Sequence, residues 1–169
     1  MPKIKVLGSL SGMEPILNHH HTSVVIREGE STYFFDAGEN CSRLGHLDGV
    51  NLLNTRAIFI SHTHYDHIGG LPRLFKEVGI PSTLYVGKHF FRKCYHRRPD
   101  GSMRYIGPKF DHQLITDLKV PVRVVSEDSL TIAEGVTLYR NFDQVTDYEK
   151  LNPSFFYQED QSVCEASGS

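Results

Sequence analysis

The chain has 169 residues, 39% hydrophobic and 22% charged, with 10 Phe, 8 Tyr and a net charge of -2. This is an ordinary globular mixture for one domain, and it excludes a disordered chain. A weak negative balance also argues against a general nucleic-acid or membrane binder.

The elements follow in chain order. Lys3 to Leu7 predicts a first strand, with no secretory signal ahead of it. No window approaches transmembrane length, and Cys41, Cys94 and Cys164 suit neither a disulfide framework nor a cysteine zinc site. A reducing cytoplasm is therefore expected. Gly8 to Thr22 is turn-rich and carries His19, His20 and His21. Ser23 to Arg27 and Thr32 to Phe35 form a hairpin pattern around Glu28-Gly29-Glu30-Ser31, and Asp36-Ala37-Gly38 ends it. A short helix is expected over Asn40 to Leu47. The apolar run Ala57 to Ile60 suits a strand buried on both faces. Leu71 to Val78 reads as helix, Thr83 to Val86 as strand, and Lys88 to about His96 as helix. Strands are expected at Val122 to Val125, Leu130 to Ile132 and Val136 to Tyr139. This alternation defines an α/β class with a partly antiparallel sheet.

The chemistry concentrates in Ser61-His62-Thr63-His64-Tyr65-Asp66-His67-Ile68-Gly69-Gly70, directly after the buried strand. A loop at the carboxyl end of a strand is where α/β sheets hold ligands. Two histidines two apart can point the same way from extended backbone. Asp66 and His67 can serve a second point as the chain turns into helix. Four N/O donors in six positions suit zinc, one or two ions, with iron or manganese also compatible.

This segment resembles the signature of the metallo-β-lactamase superfamily. The resemblance implies a metallo-β-lactamase-type αββα sandwich. It implies that His62 and His64 bind a first metal, that Asp66 and His67 bind a second, and that Asp36 supports the loop from behind. It further implies a metal-bound hydroxide attacking a carbonyl, thioester or phosphorus centre; as a carboxylate beside that water, Asp66 is also a candidate catalytic proton acceptor. Arg104-Tyr105-Ile106-Gly107 and Val145-Thr146-Asp147-Tyr148-Glu149 are similar to a subfamily related to the dihydropterin ribosyl-aminobenzene phosphate synthases. That subfamily has Gly where Thr63 stands. The family also takes further histidine and bridging Asp ligands from a second half of its fold. No histidine follows Arg140 here, and Asp143, Asp147 and Asp160 sit in no ligand motif. The chain therefore reads as an N-terminal portion, incomplete in its C-terminal half. Residues 1–163 form the domain and 164–169 a tail.

From Lys88 to Lys109, seven cations face one acid, a net of +6 that leaves -8 for the rest. This insertion, 88–109, is a candidate phosphate-binding lid through Arg97, Arg98 and Arg104. A solvated helix face is the competing reading. A small phosphorylated molecule is preferred as substrate over nucleic acid. The His19–His21 run is expected to lie near the site without touching metal. His46 and His112 read as surface residues. The expected function is a metal-dependent hydrolase of a small-molecule phosphoester. The alternatives are an inactive metal-binding fragment, a subunit completed by another chain or a homo-oligomer, and a dihydropterin-phosphate-synthase-like transferase.

Overall fold

The computed structural model describes residues 1–12, 14, 16–78, 82–140, 153–159 and 162–165. The segments Val145–Glu149, Asp143 and Asp160 lie outside the described residues.

Strands β1 (Lys3–Gly8), β2 (Ser23–Glu28), β3 (Ser31–Phe35), β4 (Thr55–Phe59), β5 (Thr83–Val86) and β8 (Val122–Val124) form a six-stranded sheet in the order β1-β2-β3-β4-β5-β8. The first three run antiparallel as consecutive neighbours, and β3, β4, β5 and β8 run parallel. The β2–β3 connection is tight: Glu28 faces Ser31, and Gly29 takes a φ of 55° that side-chain-bearing residues avoid.

Side-chain alternation divides the sheet into two faces. On one face Val25, Phe34, Ile58 and Leu84 are fully buried against helices α1 (Cys41–Leu47) and α3 (Leu71–Glu77), which contribute Cys41, Leu71, Leu74 and Phe75. Ile115 of α4 (His112–Asp117) joins this core. On the other face Tyr33, Ala57 and Phe59 pack with Ile132, Val136 and Leu138 of the hairpin β9 (Ser129–Ala133) and β10 (Val136–Tyr139). The strand read as buried on both sides is so: Ile58 enters the first core, Ala57 and Phe59 the second. Ile4 and Val6, paired with Ile26 and Val24, are 71% and 55% exposed.

A second sheet of antiparallel strands has the order β12-β11-β6-β7, from β6 (Lys93–Arg97), β7 (Met103–Tyr105), β11 (Phe155–Glu159) and β12 (Ser162–Glu165). This corrects the helix expected over Lys88 to His96. The chain instead turns at 88–91 and then extends. Lys93-Cys94-Tyr95-His96-Arg97 has the two-residue period of a strand, with Cys94 1% exposed and Lys93 and Arg97 outward. Pairing with β11, sixty residues on, decides the conformation. Among the described residues no helix is long and apolar enough to cross a membrane.

Candidate metal centre

The candidate ligands leave the sheet where β4 ends. Ile60 donates its N–H to the Tyr85 carbonyl, at 3.3 Å, and the chain then departs as Ser61–His64 before the single turn α2 (Tyr65–Ile68). The site thus stands over the carboxyl ends of β3, β4 and β5. His62 is the hub of the rings: its centroid lies 4.6 Å from that of His64 and 3.9 Å from that of His67.

Asp36 organises this cluster from beneath. It ends β3 with a left-handed φ of 59° and is 2% exposed. Its N–H donates to the Phe59 carbonyl at 2.8 Å, tying it to the neighbouring strand. Its Oδ1 accepts from the Ser61 N–H at 2.8 Å, and both oxygens accept from the Ser61 hydroxyl at 2.9 and 2.8 Å. Its Oδ2 sits 2.7 Å from His67 Nδ1. A carboxylate at Nδ1 puts the proton there and leaves Nε2 with its lone pair available to an ion. Ser61 Oγ also lies 3.1 Å from His62 Nδ1, which leaves that ring's Nε2 as its remaining nitrogen.

These donors fit a divalent ion. His67 Nε2 and Asp66 Oδ2 are 3.5 Å apart. Two donors, each about 2.0–2.2 Å from one tetrahedral ion, stand about 3.4 Å apart. Among the described residues no three His, Cys, Asp or Glu side chains already converge on one ion position. The fit therefore rests on this pair and on the chemistry of the surrounding imidazoles. Burial, with His67 and His64 beside it, lowers the His62 pKa to about 4. Burial also lowers that of His64, against the pull of Asp66. Both rings are neutral at pH 7, the form that ligates metal.

A loop and three glycines lock the arrangement. The Gly12 N–H donates to Asp66 Oδ2 at 2.7 Å, so the loop between β1 and β2 holds a candidate ligand. The Gly38 N–H donates to the Thr22 carbonyl and the Gly70 N–H to the Ala37 carbonyl. A Cβ on Gly38 would fall 2.5 Å from the Asp66 carbonyl oxygen, and one on Gly70 would fall 2.3 Å from the Gly38 oxygen. His21 packs into this seam, 7% exposed, 3.8 Å from Glu39 and edge-on to Tyr65, with no hydrogen-bond partner for Nε2. His19 is exposed and His20 half-buried. His46 pairs with Glu77 at 3.2 Å, and His112 stacks near Phe91.

The small sheet docks directly on the loop that carries the candidate ligands. The Tyr65 N–H donates to the Ile106 carbonyl at 2.8 Å, Thr63 Oγ1 meets Cys94 Sγ at 3.3 Å, and Phe155 lies 4.8 Å from the His64 ring. The three candidate arginines do not converge. Arg97 covers the Phe156 ring at 4.1 Å on the outer face. Arg98 sits in the turn closed by the Gly101 N–H on its carbonyl. Arg104 reaches Glu14 at 2.5 Å. On the other side of the loop, a cleft of about 470 Å³ opens beside Ser61, walled by Phe35, Phe59, Tyr85, Val125 and Tyr139. Sequence reasoning assigned no part to Ser61, Gly12, His96 or Phe155. Only Ser61, preceding the first histidine, carried a local signal.

Fold and donor set together define a known class. Residues 17–144 match the model of the metallo-beta-lactamase superfamily, and the chain belongs to that family. It superimposes with a TM-score of 0.70, at 21% identity, on a solved metal-dependent hydrolase of the beta-lactamase superfamily, covering 96% of this chain and 56% of that one. Curated relatives include a ribonuclease Z of Methanothermobacter thermautotrophicus, 35% identical over an alignment of 101 positions that covers 56% of this chain and 33% of that protein. Another is a ribonuclease Z of Treponema pallidum, 29% identical over a gapped alignment of 189 positions that covers 79% of this chain and 60% of that protein. The chain thus spans between a third and three fifths of the length of these two relatives.

These relatives correct two expectations. They are ribonucleases Z, not members of the dihydropterin ribosyl-aminobenzene phosphate synthase-like subfamily. The resemblance to that subfamily already failed at Thr63, and one of its two supporting segments lies outside the described residues. The expectation that nucleic acid is not a partner also sits poorly with relatives named for acting on RNA. It rested on the weak overall charge of -2 and on the cationic segment being short and lacking a recognition fold.

Proposed function

We propose that the chain is a metal-dependent phosphodiester hydrolase with RNA as its substrate class. The observation that carries the metal reading is the Asp36–His67–Asp66 arrangement, with Nδ1 held at 2.7 Å and Nε2 3.5 Å from Asp66 Oδ2. The ribonuclease Z relatives support the choice of phosphodiester, and the cationic segment suits a polyanion.

His62, His64, Asp66 and His67 would hold zinc, one or two ions, and their N/O donors also suit iron or manganese. A bound ion would supply positive charge to polarise the phosphoryl group and acidify water. Asp36 fixes the His67 tautomer, and Ser61 orients His62 by its hydroxyl. Asp66 Oδ1, left over by the Gly12 contact on Oδ2, accepts the proton of the attacking water.

The test is metal analysis of the purified chain before and after zinc reconstitution, with hydrolysis of bis(p-nitrophenyl) phosphate and of an RNA oligonucleotide. Stoichiometric zinc is expected, with hydrolysis that stops on chelation. His62→Ala and His64→Ala should each abolish both. Failure to take up zinc after reconstitution overturns the reading. A second reading, a metal-binding chain that needs a partner chain for turnover, is favoured by the absence of three converged donors among the described residues. It predicts zinc uptake without hydrolysis.

A further inference from the structure

The inner face of the small sheet continues outward from the metal loop as a row of three side chains. Phe155 of β11 lies directly opposite His96 of β6, and His96 directly opposite Arg104 of β7. Residues facing each other in an antiparallel pair project to the same side. Cys94, two residues from His96, shares that side and touches Thr63, so the face is turned to the metal loop. The Phe155 ring stands 4.8 Å from His64 and 5.6 Å from His96, placing His96 one aromatic ring away from a candidate ligand. Of the three candidate arginines, only Arg104 joins this row.

Arg104 is not empty-handed. Its Nη1 meets Glu14 Oε1 at 2.5 Å, yet the Glu14 side chain is 75% exposed. The hydrogen bond and charge of Arg104, with Arg98 behind, hold the Glu14 carboxyl below its ordinary range, so it is an ionised oxygen ligand of the guanidinium. Exposed ion pairs of this kind are weak and screened by salt. A phosphate offers the same guanidinium two oxygens in a planar fork, and an imidazole N–H adds a third donor.

We propose that His96 and Arg104 form a second phosphate-binding point beside the metal loop, with Glu14 as a counter-charge that the incoming phosphate displaces. The phosphate taken is the one flanking the scissile bond of a nucleic-acid strand, and in this the inference rests on the phosphodiesterase reading. Phe155 acts as a neutral spacer that keeps His96 and His64 apart.

The test uses the whole metal-free chain, which cannot turn over the ligand through a bound ion, and two dinucleotides, pUpU and UpU. Calorimetric titration should show pUpU binding about tenfold tighter than UpU, the worth of a charge-assisted contact. That preference should vanish in His96→Ala and in Arg104→Ala, while zinc uptake stays at the wild-type level. Glu14→Gln should raise pUpU affinity about threefold, a gain that misfolding cannot mimic. Equal binding of pUpU and UpU by the wild type overturns the proposal. So does a preference retained in His96→Ala or Arg104→Ala, or an unchanged affinity in Glu14→Gln. Because no metal or hydrolysis enters, failure of zinc uptake sinks the hydrolase reading without touching this result, and the reverse also holds.

Discussion

Asp36 shows how one buried carboxylate can set the geometry of a whole loop. It is acceptor to the Ser61 amide, the Ser61 hydroxyl and His67 Nδ1 at once. Asp36→Ala leaves buried donors without partners, and the expected loss is about 2–4 kcal/mol, read by urea denaturation. Zinc affinity should fall about 10–100-fold, as for other groups that orient a ligating imidazole. Asp36→Asn separates the two effects. Asn tolerates the left-handed backbone and keeps one acceptor for Ser61. Its amide cannot accept the His67 proton if the oxygen faces Ser61. Stability should largely return while zinc affinity does not; recovery of both would refute the orienting role.

At the scale of elements, the helix α3 begins only because Gly70 admits a close approach. The Gly38 oxygen and Cys41 Sγ stand 2.3 and 2.7 Å from where a Cβ would be. Gly70→Ala must push α3 away from the end of β3, at a cost of about 1–3 kcal/mol. A thermal midpoint equal to wild type would show that the seam yields freely. The main sheet was legible because its strands announce themselves locally. Val24-Val25-Ile26, Tyr33-Phe34-Phe35 and Ala57-Ile58-Phe59 are apolar or β-branched runs bounded by turn residues. The candidate metal loop was legible because its donor residues lie within six positions. The small sheet was not, because β6 finds its partner in Phe155–Tyr157, far along the chain, and the local composition of Lys88 to His96 holds no helix breaker. His96 and Phe155 became visible only through that pairing. Gly12 was equally hidden, since a backbone N–H that holds Asp66 leaves no mark in the identity of the residue beyond its tolerance of a φ of 93°.

For the molecule as a whole, two groups whose titration shifts on folding, His62 in the exposed loop and the buried Cys41, bracket the pH range of stability in the metal-free state. His62 falls from 6.5 to about 4, so between these values the unfolded chain binds a proton that the folded one refuses. Stability is therefore full above about pH 6.5 and declines as pH drops towards 4. Cys41, fully buried in the helix-side core, is pushed up from 9.0 to about 12 by burial. Above pH 9 the unfolded chain releases a proton that the folded one keeps, so stability declines again as pH rises. Denaturation midpoints measured from pH 4 to 11 should peak between about 6.5 and 9. A midpoint still rising at pH 10, or a maximum near pH 5, contradicts this.

The loop from Gly8 to Thr22 bears on how such a protein can change over time. Surface connections usually absorb insertions and deletions without consequence. This one carries the Gly12 amide to Asp66 and, two residues later, the Glu14 carboxylate to Arg104. A change in its length would move both contacts together. A lineage that lengthens or shortens this loop would therefore disturb the contacts to Asp66 and Arg104 together, whereas a substitution at Glu14 changes the second and leaves the register at Gly12 intact.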